Sequence, residues 1–424
     1  MKKILLIILD GLGDRPIKAF GDKTPLESAN TPNMDKMAAS GVCGVMNAMP
    51  KDLYPTSEEA HLAILGYDYK KDHPGRGVLE ALGIGVKLKP DELAFRVDFG
   101  TVDKDLKLID ARAGVIESVK DLCKSIGDVE IDGVKFRIYP SLLYRGVLVL
   151  SGNPVKTYLK VSKSAVSDTD PHKAGPHKLG VRVLHPKSFG DSKEGKTVVR
   201  ALERYQYLTH EILNEQKINK RRVKKGKLPA NFILTRGGGH LKSITGFKEK
   251  FGKKAACIAG APLYKGIGAY MGMKIVKVRG ATGKLDTNIG AKVKATQKAL
   301  KRNDFVFLHI KGTDMAGEDF GDAKMKKDFI EKIDKNFGRI LALKNVIVAV
   351  TGDHATPCEL KDHSSDIVPV LISDGKDKDD VDKFGESECK KGGLGHIYGK
   401  DFMKILLVEN SKYKSQVSKG ESKI

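Results

Sequence analysis

Three strongly apolar segments, each followed shortly by an aspartate, dominate the hydrophobic pattern of this chain. They are Lys3–Leu9 before Asp10, Asp304–Ile310 before Asp314, and Val346–Val350 before Asp353 and His354. Rich in Ile, Val and Leu and followed by glycines, such segments predict strands buried on both faces of a parallel sheet. Ligands of open α/β sheets bind outside the carboxyl ends of the strands, so three distant aspartates should meet at one edge. Close carboxylates repel one another unless a cation lies among them, and the pattern therefore predicts a metalloenzyme.

The order of the elements predicts a doubly wound, mostly parallel α/β sheet that is interrupted by a smaller inserted α+β domain. Strand and helix signals alternate over residues 1–86 and again over 230–410. Residues 87–229 instead carry short β-like runs and one amphipathic helix, which is typical of an antiparallel or mixed sheet. A polar tail is expected at 411–424. With ligand candidates on both sides of the insertion, we expect the active site in a cleft between the two domains.

Composition favours a cytoplasmic enzyme. The chain has 424 residues, of which 40% are hydrophobic and 30% charged, and no apolar run approaches the ~18 residues that span a bilayer. Its apolar start mimics a signal peptide, but Asp10 and Asp14 interrupt it, so a first strand is the better interpretation. The five cysteines are scattered and odd in number, which favours a reducing compartment over a disulfide framework. We expect no membrane contact.

The formal net charge of +22 leaves two kinds of partner open, an anionic substrate or a nucleic acid. The basic stretch Lys217–Lys227 is the strongest argument for nucleic acid. However, it has no interleaved aromatic residues and matches no binding motif, so a solvated face is the preferred interpretation. Nucleic acid is not expected as a partner.

Four polar clusters could carry chemistry, and each also has an ordinary structural interpretation. Strand-end aspartates often cap turns, Thr56 with Glu59 fits a capping box, and His309 fits a core or supporting histidine. Taken together, aspartates and histidines offer the ligands that suit Mn²⁺ or Zn²⁺. A serine at a helix start lies where phosphate binds, and a nearby divalent ion would activate it as a nucleophile. The clusters are Asp10–Asp14, Tyr54–Leu62, His309–Asp319, and Thr351–Pro357 with His363.

These clusters, in this order, resemble the alkaline-phosphatase-like metalloenzymes, and more narrowly the archaeal type of cofactor-independent phosphoglycerate mutase. The most specific match is Thr351–Pro357, and the similarity extends from Ile4 to about Leu407. The other matching segments are Leu26–Asn33, Ser57–Leu62, Ile64–Asp68, Gly75–Gly77, Glu80–Gly83, Asp110–Gly114, Arg236–Gly237, Gly280–Gly283 and Asp286–Asn288.

The resemblance implies two divalent metal ions, with Mn²⁺ expected and Mg²⁺, Co²⁺ or Zn²⁺ as alternatives. One set of implied ligands is Asp10, Ser57, Asp353 and His354; the other is Asp314, Glu318 and His363. Glu318 departs from the family, which usually has histidine there. A glutamate oxygen can bind Mn²⁺ or Mg²⁺ and makes the site harder, although Glu318 could also point to solvent.

The implied reaction is the interconversion of 3-phosphoglycerate and 2-phosphoglycerate, in glycolysis and gluconeogenesis, through a phosphoserine on Ser57 and without 2,3-bisphosphoglycerate. The alternative is a metal-dependent phosphomonoesterase, or a mutase for another phosphorylated metabolite. The partner is thus a small phosphorylated acid, and the candidate clamps for it are Arg112, Arg145, Arg236 and Lys265. Ala111-Arg112 stands where the family commonly shows paired arginines, so one cationic contact differs.

Overall fold

The chain forms two compact units in the computed structural model, which describes residues 2–162, 165–171 and 179–407. One unit comprises Met1–His73 and Ile244–Ile424, and the other comprises Pro74–Ser243. The second unit is larger than the predicted insertion at 87–229, because one helix and one strand from its flanks pack on its sheet. The predicted tail at 411–424 lies outside the described residues.

The strands, in chain order, are β1 (Lys3–Leu9), β2 (Val42–Asn47), β3 (Leu93–Val102), β4 (Leu108–Asp110), β5 (Val129–Ile131), β6 (Val134–Pro140), β7 (Arg145–Ser151), β8 (Phe232–His240), β9 (Ala255–Ile258), β10 (Lys274–Ile275), β11 (Phe305–Ile310), β12 (Val346–Thr351), β13 (Val368–Ser373) and β14 (Gly395–Tyr398). The α-helices are α1 (Pro25–Ser28), α2 (Pro32–Ala39), α3 (Ser57–Ile64), α4 (Arg76–Gly83), α5 (Lys120–Ile126), α6 (Asn153–Ser162), α7 (Lys193–Glu215), α8 (Lys217–Lys224), α9 (Phe247–Phe251), α10 (Pro262–Tyr270), α11 (Ile289–Leu300), α12 (Gly312–Met315), α13 (Ala323–Leu341), α14 (Glu386–Cys389) and α15 (Gly399–Leu407). A 3₁₀-helix covers Lys18–Phe20, and a π-helical turn covers Ala316–Phe320.

The first unit contains a mostly parallel sheet in the order β10-β9-β11-β1-β12-β13-β2-β14. Strand β13 is the exception, since it pairs antiparallel with both β12 and β2. The three apolar segments recognised in the sequence are neighbours, with β1 parallel to β11 on one side and to β12 on the other. The predicted doubly wound α/β fold is confirmed, and the carboxyl ends of these three strands share one edge.

Both faces of the central strands are covered, which explains why their sequences are apolar throughout rather than alternating. On one face, side chains of β1 and β11 pack with Phe329, Ile333 and Phe337 of the amphipathic helix α13. Burying each such side chain contributes ~1.5–3 kcal/mol. The resulting core fixes the strand ends that carry the polar clusters.

The second unit contains an antiparallel sheet in the order β4-β3-β7-β6-β5, with β8 paired to β3. Helix α4 packs against β3 and β8, and α7 covers the sheet with Tyr205 stacked on Phe136 at 4.3 Å between ring centroids. The basic stretch forms a separate helix, α8, that follows α7 after a break at Gln216. The buried Asn219 amide holds α8 in place by donating to the carbonyls of Leu213 and Ala230.

Among the described residues, we find no helix that is both long and apolar enough to cross a bilayer.

Candidate metal centre

Two groups of buried metal-ligating side chains lie at the shared strand edge of the first unit. One consists of Asp10, Asp353 and His354, and the other of Asp314, His354 and His363; within each, one donor atom per residue lies within 4.8 Å of the others. Asp10 follows β1, Asp314 lies just after β11, and Asp353 and His354 follow β12. The structure therefore brings together the ligand candidates from these strand ends, with His354 common to both groups.

Ser57 lies beside the first group. Its Oγ is 3.2 Å from Nε2 of His354, which is also 3.2 Å from Oδ2 of Asp353 and 3.5 Å from Oδ1 of Asp10. Among the described residues, these two carboxylate oxygens are buried without a hydrogen-bond partner. Leaving buried carboxylate oxygens unsatisfied is costly, whereas a divalent cation would satisfy both. The donor set therefore fits a metal ion.

The second group is looser and more open. Nε2 of His363 is 3.4 Å from Oδ1 of Asp314, and its ring stacks on that of His354 at 3.7 Å between centroids. Glu318 lies at the edge of this group, with Oε2 4.0 Å from Nε2 of His363 and its side chain 37% exposed. It belongs to the π-helical turn, a rare geometry that often marks functional sites. Glu318 thus approaches the group without being one of its closest members.

Ser57 is the first residue of α3, and Thr56 is the N-cap. Thr56 Oγ1 accepts from the backbone N–H of Glu59 and donates to the Glu59 carboxylate at 2.7 Å. The capping contact between Thr56 and Glu59 fixes the start of α3 and so positions Ser57. A capping role for these two residues is therefore compatible with a catalytic role for Ser57. The free N–H groups and the helix dipole at that start favour an anion such as phosphate.

Local charges keep Asp314 and Asp353 ionised. Burial raises the pKa of Asp314, but Lys311, whose Nζ lies 2.5 Å from Oδ2, together with His363 and His354 outweighs burial and holds that pKa well below its usual value. The pKa of Asp353 is likewise below its usual range, because His354 and His61 outweigh burial. Burial lowers the pKa of His309 to about 4, so this histidine is neutral near pH 7. Ionised carboxylates are the forms that bind metal. For His363, burial lowers the pKa, but the hydrogen bond and charge of Asp314 with the charge of Glu318 outweigh burial and raise it to about 9, so a metal ion bound there would displace that proton.

Several residues at the site were not assigned a role from the sequence. Lys311 and Thr356 lie inside the recognised clusters, and Thr356 Oγ1 donates to Asp314 at 2.9 Å, so proximity in sequence was a usable signal. His61 donates from Nδ1 to the carbonyl of Ser57 at 2.7 Å. Tyr264 belongs to α10, and no motif in the sequence around it indicated a role at this site. Its hydroxyl donates to Asp10, and its ring stacks on His309.

Three of the four predicted clamps belong to the second unit. Arg236 on β8 lies opposite Arg96 on β3, and Arg145 on β7 lies opposite Asp98, so these residues share one face of the sheet. Arg96 donates to Asp98 at 2.6 Å, and burial lowers the pKa of Arg236 to about 10. Arg96, which lies in no recognised motif of the sequence, thus joins a cluster of arginines around the Asp98 carboxylate.

Of the other two clamp candidates, Arg112 lies in the second unit beside Tyr144 and Lys265 lies in the first unit. The guanidinium of Arg112 lies 5.7 Å from the ring centroid of Tyr144, which Arg145 also faces at 5.1 Å. Lys265 belongs to the first unit, on α10, where it is half-buried and burial lowers the pKa of its ammonium group.

Comparisons with known proteins give one consistent answer. The family model described as the metalloenzyme superfamily matches residues 2–409. A protein named 2,3-bisphosphoglycerate-independent phosphoglycerate mutase 1 from Methanocaldococcus jannaschii is 44% identical over 96% of both chains. A 2,3-bisphosphoglycerate-independent phosphoglycerate mutase from Thermococcus kodakarensis is 43% identical, and the match covers 96% of this chain and 97% of that protein.

Two solved structures share the fold. The PH0037 protein from Pyrococcus horikoshii is 39% identical with a TM-score of 0.79, and the match covers 96% of each chain. A cofactor-independent phosphoglycerate mutase from Thermoplasma acidophilum is 32% identical with a TM-score of 0.66, over 96% of this chain and 99% of its own.

Proposed function

The chain belongs to the 2,3-bisphosphoglycerate-independent phosphoglycerate mutases of the metalloenzyme superfamily, and we propose that its reaction passes through a phosphoserine on Ser57. It is accordingly an isomerase that interconverts 3-phosphoglycerate and 2-phosphoglycerate. The observation that carries the proposal for Ser57 is its position at the start of α3, 3.2 Å from Nε2 of His354 and beside two unsatisfied carboxylate oxygens.

Two divalent cations are the proposed cofactors, and we propose Mn²⁺ for both, with Mg²⁺, Co²⁺ and Zn²⁺ as alternatives. Asp10, Ser57, Asp353 and His354 would hold one ion, and Asp314, Glu318 and His363 would hold the other. Bound there, such ions lower the pKa of a coordinated hydroxyl and neutralise phosphoryl oxygens. The oxygen of Glu318 supports a hard ion, because carboxylates suit Mn²⁺ and Mg²⁺.

Ser57 exchanges the phosphoryl group with the substrate in two steps. Its Oγ attacks phosphorus in line, the new O–P bond forms as the bond to the substrate oxygen breaks, and glycerate is released within the site. Glycerate then turns so that its other hydroxyl takes the phosphoryl group back. Water must be excluded throughout, because hydrolysis of the phosphoserine would make the enzyme a phosphatase.

We propose that arginine side chains bind glycerate and hold it in the site. Arg145 and Arg236 share a sheet face with Arg96 around Asp98, and a guanidinium fork binds carboxylate or phosphate with two parallel hydrogen bonds. Arg112 and Lys265 are the remaining proposed contacts. The partner is a small phosphorylated acid, the proposed location is the cytoplasm, and neither nucleic acid nor membrane is part of the proposal.

The test is an assay of the purified protein with 3-phosphoglycerate across the four divalent ions, measuring both 2-phosphoglycerate and free phosphate. We expect the isomer with little phosphate; phosphate release in proportion to substrate consumed would indicate a phosphomonoesterase. Ser57→Ala should abolish turnover with the fold intact, and Ser40→Ala, at the exposed end of α2, is the matched control. Substantial mutase activity in Ser57→Ala would falsify the phosphoserine route.

A further inference from the structure

Lys311 joins the two metal-ligand groups. Its ammonium Nζ is 2.5 Å from Oδ2 of Asp314, which belongs to one group, and 3.4 Å from Oδ2 of Asp10, which belongs to the other. The two carboxylate side chains are fully buried, whereas the Lys311 side chain is 20% exposed. The ammonium therefore contacts both ligand sets, while part of the Lys311 side chain is exposed.

The surroundings hold this ammonium in place. Lys311 is the N-cap of α12, directly after β11, so its backbone is fixed by the central sheet. Nζ also lies 3.5 Å from the hydroxyl of Tyr264, which itself donates to Asp10. A lysine ammonium has three donors and keeps its charge near pH 7, so it acts here as a fixed positive charge.

The charge balance of the site gives that positive charge a function. Four carboxylates lie at the two groups: Asp10, Asp314, Glu318 and Asp353. Two divalent ions would neutralise their four negative charges and leave no excess positive charge. The ligands and ions together would then carry no net positive charge to balance a phosphate dianion, although each ion could still bind a phosphoryl oxygen. With histidine in place of Glu318 the site would carry one more positive charge, so this chain depends more on Lys311.

We propose that Lys311 is a catalytic residue whose ammonium contacts the phosphoryl group of the substrate and supplies the net positive charge that the ligand set lacks. The inference rests on the proposed function, since it takes the two groups as metal sites. Two expectations follow, one for phosphate affinity and one for metal affinity. Removing the charge should weaken phosphate binding, yet it should not weaken metal binding, because a cation that repels the metal ions is removed.

The experiment compares Lys311→Met and Lys311→Arg with the wild type. Lys324→Met is the control, since Lys324 pairs with Asp328 on the exposed surface of α13. Calorimetric titration with Mn²⁺ measures metal affinity, and titration of the Mn²⁺-loaded protein with inorganic phosphate measures anion affinity. In Lys311→Met we expect Mn²⁺ affinity that is unchanged or up to about tenfold tighter, and phosphate affinity that is at least about tenfold weaker.

Lys311→Arg should keep most of the phosphate affinity, because the charge is retained. Weaker Mn²⁺ binding in Lys311→Met, or unchanged phosphate binding, would overturn the proposal and leave Lys311 a structural residue. If Lys311→Met does not fold, as judged by circular dichroism, Lys311→Gln takes its place in the same two titrations. Neither titration uses turnover, so loss of the phosphoserine route, detected with Ser57→Ala, is distinguishable from failure of this inference.

Discussion

Replacing the buried Lys326 with methionine should destabilise the first unit strongly. Lys326 comes from α13 and is fully buried, and its ammonium uses all three donors, to the carbonyls of Gly13 and Thr356 at 2.9 Å and to the carboxylate of Asp14 at 2.8 Å. Gly13 and Thr356 lie in the loops after β1 and β12, which also carry the proposed metal ligands. One side chain thus ties two site loops to one helix.

The magnitude follows from what the substitution leaves behind. Asp14 is only 6% exposed, and without Lys326 its carboxylate keeps hydrogen bonds from Cys358 and the backbone of Arg15 but has lost its counter-charge. Breaking a buried ion pair by removing one partner costs about 3–5 kcal/mol. Methionine fills a similar volume, so little of the cost comes from a cavity. We expect the unfolding free energy to fall by about 4 kcal/mol.

Urea denaturation followed by circular dichroism measures this change for Lys326→Met and for the control Lys324→Met, which should unfold like the wild type. The single variant Asp14→Asn and the double variant Asp14→Asn with Lys326→Met complete a double-mutant cycle, and the double variant should recover part of the loss because no unpaired charge remains. A decrease in unfolding free energy below about 1 kcal/mol in Lys326→Met would refute the reasoning, since the buried ion pair would then contribute no more to stability than a surface pair.

Three further predictions concern the metal ligands and one buried acid. Glu318→His should shift the activity preference from Mn²⁺ and Mg²⁺ toward Co²⁺ and Zn²⁺; identical metal profiles would argue against Glu318 as a ligand. Asp10→Asn and Asp314→Asn should each reduce bound Mn²⁺, measured by atomic absorption after dialysis, from two ions to about one; two retained ions in either would contradict the assignment. Burial raises the pKa of Glu386 from 4.5 to about 7, so the folded state holds this proton more tightly than the unfolded state. Its contribution to stability is therefore present below pH 4.5 and lost as pH rises through about 7, and Glu386→Gln should flatten the measured pH dependence in that window.

The sequence determined those parts of the molecule that depend on local pattern. Unbroken apolar runs predict buried parallel strands, and β1, β11 and β12 begin and end within about one residue of the predicted segments. Because the carboxyl ends of neighbouring parallel strands lie at one edge of the sheet, the sequence alone predicts that Asp10, Asp314 and Asp353 come together there. Thr56 and Glu59 likewise predicted the start of α3, since capping is a contact between near neighbours in the chain.

The tertiary structure decided the contacts that join distant segments without a local pattern. The antiparallel direction of β13 could not be read from its composition, because an apolar strand pairs equally well in either direction when both faces are buried. The contact of Tyr264 with Asp10, the position of His354 in both ligand groups and the bridge made by Lys311 arise only when separate elements pack. Which side chains meet at the edge of a sheet depends on the space between the strand ends and on the charges nearby. Both depend on the order of the strands in the sheet, which the local sequence does not specify.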